Sequence, residues 1–107
     1  MTALIANLRQ QCDGPRDGAL LRFSLGTALL GNGEVVAAID ELHRAVVFDP
    51  GYSAAWKLLG KACLDAGQTE AAADAWRSGI AAAAKRGDKQ AEKEMTVFLR
   101  RLEKKHR

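Results

Sequence analysis

The chain has 107 residues, of which 48% are hydrophobic and 27% are charged, so it has the length and composition of one domain, residues 1–107. The formal net charge is +3, and residues 85–107 hold nine Lys or Arg against four Asp or Glu. No stretch approaches the roughly 20 apolar residues of a membrane span, and the N-terminus lacks the basic leader and long apolar run of a signal peptide. The two cysteines do not have the spacing of a metal site or of a disulfide framework. We therefore predict a reduced, cytoplasmic protein.

The first predicted element is a short helix within residues 1–13. Its apolar side chains recur at helical spacing: Leu4, Ile5, Leu8 and Cys12. We expect this helix to pack on the helix that follows. Residues 13–18 contain two glycines and a proline and are predicted to form a loop, with Asp17 as a candidate N-cap of the next helix.

Residues 19–52 and 53–86 repeat each other at a spacing of 34 residues without a gap. The identical pairs are Leu25/Leu59, Gly26/Gly60, Ala28/Ala62, Leu30/Leu64, Gly33/Gly67, Ala37/Ala71, Ala38/Ala72 and Asp40/Asp74. Each unit reads as helix, turn, helix, with the turn at Gly33 or Gly67. Ser53 is a candidate N-cap of the second unit, and the last helix of that unit is predicted to run to residue 86.

Two glycines sit inside predicted helices, in the same register of the two units. Each of them, Gly26 and Gly60, costs about 0.5–1 kcal/mol relative to alanine. A cost that occurs twice indicates close approach of the paired helix. We expect the small side chains of Ala38 and Ala72 to lie opposite.

Residues 88–106 form a third amphipathic segment, with Asp88 as its candidate N-cap. Its apolar face is Ala91, Met95, Phe98, Leu99 and Leu102. A stack of helical repeats needs a terminal helix with one polar face to close its core against water. We therefore interpret residues 88–106 as a capping helix.

The repeat units resemble the tetratricopeptide repeat (TPR). The residues that carry the resemblance are Trp56, Leu59, Gly60, Cys63, Ala72 and Trp76 in the second unit, and Leu25, Gly26, Leu29, Ala38, Leu42, Ala45 and Pro50 in the first. Arg22 stands where the second unit has Trp56. The resemblance implies an all-α fold in which helix pairs stack as a short right-handed superhelix, an α-solenoid. It also implies a non-catalytic, adaptor-type module that binds a protein or peptide.

In TPR proteins the first helix of each pair lines a concave groove. The residues at the groove positions here are Leu20, Phe23, Thr27, Leu30, Lys57, Lys61 and Leu64. Lys57 and Lys61 lie one turn apart on the same helix face, which is either a solvated face or the basic half of the groove. The second interpretation fits a partner that carries an acidic group or a terminal carboxylate beside an apolar side chain. We expect the lysine pair not to be needed for packing.

The sequence gives little indication of a catalytic, metal-binding or nucleic-acid-binding site. His43 is predicted on an outer helix face, and Cys63 is predicted as a small buried hydrophobe. We predict no catalytic residues, no metal site and no cofactor. Nonspecific binding of RNA or an anionic surface through the basic segment, and a structural homodimer, remain alternatives. The scarcity of aromatic residues near the basic segment argues against a nucleic-acid site.

Overall fold

The computed structural model describes residues 2–105 as six helices stacked in chain order. The helices are α1 Thr2–Gln11, α2 Ala19–Gly31, α3 Val35–Phe48, α4 Ser53–Asp65, α5 Thr69–Arg86 and α6 Lys89–Lys105. Within each unit the two helices pack together, α2 on α3 and α4 on α5, and α3 contacts α4 while α5 contacts α6. This arrangement confirms the predicted all-α solenoid of helix pairs. The predicted helix end at residue 106 lies outside the described residues.

The hydrophobic core runs from the first repeat through the second to α6. Its largest fully buried side chains are Leu25, Leu29, Leu42, Leu59, Met95 and Cys63. At the N-terminal end, Ile5 of α1 is buried against α2, as expected, whereas Leu4 is 49% exposed. The helical spacing of the sequence predicts one core-facing side of α3, formed by Val35, Ala38, Ile39, Leu42, Val46 and Val47. This prediction is wrong for Val47, whose side chain is 79% exposed while Leu42 and Val46 fill the core.

Close helix packing explains the two glycines inside α2 and α4. A Cβ added at Gly26 would lie 2.7 Å from Cγ of Leu42, and one added at Gly60 would collide with the indole nitrogen of Trp76. The close approach is confirmed. The side chains that fill the space beside the glycines are Leu42 and Trp76. Each lies one helical turn after the alanine that was predicted to lie opposite.

The helix ends of α4, α5 and α6 agree in part with the ends predicted from the sequence. Gly87, with φ 74°, ends α5 after Arg86, as predicted. Asp88 caps α6, since its Oδ1 accepts a hydrogen bond from the Ala91 N–H at 3.2 Å. Ser53 is not an N-cap; it is the first residue of α4, and its hydroxyl donates to Asp88 Oδ2 at 3.0 Å.

A buried arginine joins the first loop to the first repeat. Arg22 is 4% exposed, and its guanidinium donates to Asp17 at 2.7 and 2.8 Å and to Glu41 at 2.9 Å, with Asp13 at 3.4 Å. The predicted N-cap role of Asp17 is therefore wrong; Gly18 is the N-cap of α2, without a side-chain bond. The hydrogen bonds from Arg22 hold the pKa of Asp17 well below its usual range. Through these hydrogen bonds, Arg22 connects α2 both to the loop of residues 13–18 and to α3.

Candidate functional site

The α2 half of the predicted groove is neutral and partly open. Leu20 is 68% exposed, and Thr27 is exposed, with its hydroxyl donating to the Phe23 carbonyl oxygen at 2.8 Å. The ring of Phe23 packs against Tyr52, with ring centroids 5.0 Å apart. Leu30 is half-buried against the core. Two of these four residues, Leu20 and Thr27, are thus left accessible to a ligand.

The lysine pair of α4 contacts the C-terminal helix. Lys57 Nζ lies 3.4 Å from both carboxylate oxygens of Glu94, and Lys61 Nζ lies 4.8 Å from the centre of the Phe98 ring. Both lysines therefore contact α6, which is evidence against the expectation that the pair is not needed for packing. Helix α6 itself supplies an acidic group and an aromatic ring to the two ammonium groups.

A pocket of about 430 Å³ opens between α4 and α6, with α5 beneath it. Its lining residues are Lys61, Leu64, Trp76, Phe98, Arg101, Leu102 and Lys105. We call this site the α4–α6 pocket. Its walls are mainly apolar, and its volume is in the range of sites that hold small ligands or single side chains. Leu64, at 40% exposure, is the most accessible of its apolar residues.

Three basic residues are among those that line the α4–α6 pocket. Arg101 and Lys105 lie one turn apart on α6 and are exposed. Within residues 2–105 neither of them forms an ion pair. Lys61 faces them from α4, where its ammonium group lies over the Phe98 ring. The site therefore combines an apolar floor with positive charge that no carboxylate of the described chain neutralises.

The α6 side of this pocket was missed by the sequence analysis. Helix α5 has 18 residues and α3 has 14, and the loop after α5 is two residues shorter, so α6 begins 36 residues after α4 rather than 34. The repeat period, and the groove positions defined by it, do not carry into α6. A signal was present nonetheless, because four residues of α6 recur at i, i+3, i+4 and i+7: Phe98, Arg101, Leu102 and Lys105.

The other candidate residues lie apart from this pocket. His43 is exposed on α3, as predicted. Cys63 is 1% exposed, and burial raises the pKa of its thiol, so it packs as a hydrophobe. Among residues 2–105, no three His, Cys, Asp or Glu side chains come together as a metal site. In the same part of the chain, no helix has the length and apolar character to cross a membrane.

Known proteins similar to this chain share its repeat architecture, although no family model matches it. A TPR repeat-containing protein of Pseudomonas aeruginosa is 57% identical over 88 residues, which cover 82% of this chain and 84% of the relative. A solution structure from Bordetella parapertussis matches 98% of this chain and 91% of its own with a TM-score of 0.81 and 44% identity. A TPR domain protein of Salinibacter ruber, at 24% identity, TM-score 0.77 and coverage of 85% and 91%, supports the fold alone. The chain belongs to the tetratricopeptide repeat family, whose members are typically non-catalytic modules for protein–protein interaction.

Proposed function

We propose that this protein binds an acidic segment of a protein partner in the α4–α6 pocket, with an apolar side chain of that segment on the pocket floor. The observation that carries the proposal is the pair Arg101 and Lys105, two exposed cations without an ion-pair partner in residues 2–105, above an apolar cavity. Basic side chains beside an open apolar surface suit a ligand that carries both an acidic group and an apolar side chain.

The rest of the concave face supports an extended ligand. Leu20 and Thr27 of α2 are exposed and uncharged, and the charge of Lys57 is compensated by Glu94. Of the groove positions on α2 and α4, only Lys61 thus carries a positive charge that no carboxylate within residues 2–105 compensates, and it lines the pocket. A partner segment lying along the groove would place its acidic group or its terminal carboxylate at the α6 end.

The proposal is tested by fluorescence anisotropy with peptides selected from a random library against the wild-type protein. The pocket variant carries Arg101→Glu and Lys105→Glu. Its matched control carries Lys89→Glu and Lys93→Glu, which make the same charge change at the same spacing on the outer side of α6, around Val97. We expect the pocket variant to lose roughly tenfold or more in affinity, as removal of a charge-assisted hydrogen bond predicts, and the control to change by about twofold at most.

Two further measurements and two possible results for the variants define what the experiment decides. Affinity for the selected peptides should fall with added salt, because the exposed cations are screened beyond about 10 Å at 0.1 M. Comparing free and amidated peptide C-termini separates a terminal carboxylate from an acidic side chain. If both variants lose affinity equally, binding is a nonspecific property of the basic helix, and the anionic-surface alternative replaces the pocket. If neither variant loses affinity, the pocket is not the binding site.

A further inference from the structure

The outer surface of α3 carries three large apolar side chains that the core leaves exposed. Val36 is 69% exposed, Val47 is 79% exposed and Phe48 is 53% exposed. Eleven residues separate the two valines, which is close to three helical turns, so they lie on one line along α3. Phe48 lies next to Val47 at the end of the helix. We call Val36, Val47 and Phe48, with the exposed polar residues between them, the α3 stripe. It lies on a different helix from those that line the α4–α6 pocket.

The second repeat shows that the architecture does not require apolar residues at these positions. The three apolar residues of the α3 stripe correspond, 34 residues further on, to Glu70, Ala81 and Ala82 of α5. Glu70 and Ala81 are exposed as well. At the positions of Val36 and Val47, α5 therefore presents a charged and a small residue to solvent where α3 presents two valines. Val47 and Phe48 line a surface pocket with Asp13, Asp17 and Arg22, yet they stay 79% and 53% exposed.

The charged residues of the α3 stripe are placed so that they would meet residues of opposite charge on a second, antiparallel copy of α3. Asp40 lies four residues after Val36, and Arg44 lies three residues before Val47, next to His43. Asp40 has no ion-pair partner within residues 2–105. The side chain of Arg44 is 59% exposed and contacts Glu41 at 3.4 Å through Nε alone, which leaves its other donors free.

From this arrangement we propose that a second copy of the chain binds the α3 stripe, with the two α3 helices antiparallel about a twofold axis. Val36 of each copy then meets Val47 and Phe48 of the other, and Asp40 of each copy meets Arg44 of the other. The contact is self-complementary, as a symmetric dimer requires, and each pairing occurs twice. The α4–α6 pocket of each copy stays open.

The predicted dimer is weak. A helix of 14 residues is about 21 Å long, and a single helix–helix contact of that length falls below the roughly 1,200 Å² that stable interfaces bury in total. We therefore expect a reversible monomer–dimer equilibrium with a dissociation constant in the micromolar range or above. The dimer should accumulate only as the protein is concentrated.

The proposal is tested by sedimentation equilibrium of the full chain at concentrations from micromolar to millimolar. The apolar variant carries Val36→Glu and Val47→Ala, the residues that α5 has at these positions. We expect it to raise the dissociation constant by about tenfold or more, because a carboxylate then faces an apolar contact. Its melting temperature and its peptide affinity should match the wild type, since both positions are exposed and distant in sequence from the pocket.

A charge swap tests the antiparallel register itself. Asp40→Arg alone should weaken the dimer, and Asp40→Arg combined with Arg44→Asp should restore it, because the opposite charges meet again across the axis. The matched control is Asp74→Arg, the same change at the equivalent position of α5, which should leave the dissociation constant unchanged. The proposal is overturned by a wild-type chain that stays monomeric at millimolar concentration, by a dimer that survives the apolar variant, or by a swap that fails to restore association.

Discussion

The ion pair between Lys57 and Glu94 makes a direct prediction about how α6 is held. The sequence alone left the lysines of α4 either in a solvated face or in a ligand site, and both interpretations imply that Lys57→Glu leaves the melting temperature unchanged. In the structure both carboxylate oxygens of Glu94 lie 3.4 Å from Nζ of Lys57. A glutamate at position 57 would therefore place a second carboxylate opposite Glu94. We therefore expect Lys57→Glu to destabilise the domain.

The magnitude follows from the exposure of the pair. The side chains of Lys57 and Glu94 are 28% and 37% exposed, so solvent screens the attraction, and about 0.2–1 kcal/mol is the range for such pairs. Charge reversal replaces this attraction with a repulsion of similar size, for a total loss of about 0.5–2 kcal/mol. For a domain of about 100 residues, each kcal/mol lowers the melting temperature by about 4–8 °C.

The assay is thermal denaturation followed by circular dichroism, at low and at high salt. The swap Lys57→Glu with Glu94→Lys should recover most of the loss, and about 1 M salt should reduce the effect of the single variant. Lys93→Glu, an exposed lysine of α6 on the other side of that helix, is the matched control and should melt like the wild type. If Lys57→Glu also melts like the wild type, or if the swap does not recover stability, then α6 is not docked through this pair.

Two further predictions concern buried contacts in the repeats. Gly60→Ala forces a methyl group against the buried Trp76 ring and should cost about 1–3 kcal/mol in urea denaturation. Without that contact, alanine would favour the helix by about 0.5–1 kcal/mol over glycine, so a variant as stable as the wild type would refute close packing at α4. Arg22 lowers the pKa of Asp17, so this carboxylate stabilises the fold above its unfolded pKa of about 3.9, and that stability is lost as the pH falls toward the lower pKa of the folded state. Asp17→Asn should therefore reduce the fall in melting temperature between about pH 5 and pH 2, and an unchanged fall would assign the acid sensitivity to other carboxylates.

The repeat architecture was predictable because its determinants are local. The 34-residue period, the apolar spacing of each helix and the turn glycines lie within short stretches of chain. Gly33 and Gly67 both take positive φ, at 79° and 77°, where glycine has no steric cost. The capping helix was predictable for the same reason, since its apolar face is read from a single segment.

The site chemistry was less predictable because it depends on contacts between distant segments. The partners of Lys57 and Lys61 are set by how α6 docks on α5, and the sequence contains no period that gives this register. Arg22 looked like a departure from the repeat pattern at a tryptophan position. Its burial is possible because Asp17 and Glu41 neutralise its charge, and those carboxylates belong to a loop and to another helix.

Partner binding in the α4–α6 pocket is tested most directly by amide chemical-shift mapping of the ¹⁵N-labelled chain with a selected acidic peptide. Our proposal predicts that the largest shifts, saturating with added peptide, fall on the residues that line the pocket, with Lys61, Leu64, Phe98, Arg101 and Lys105 among them. These shifts should be lost in the Arg101→Glu, Lys105→Glu variant and retained when both control lysines on the outer side of α6 are reversed. Shifts that fall instead on the outer side of α6 or on α3 would contradict it.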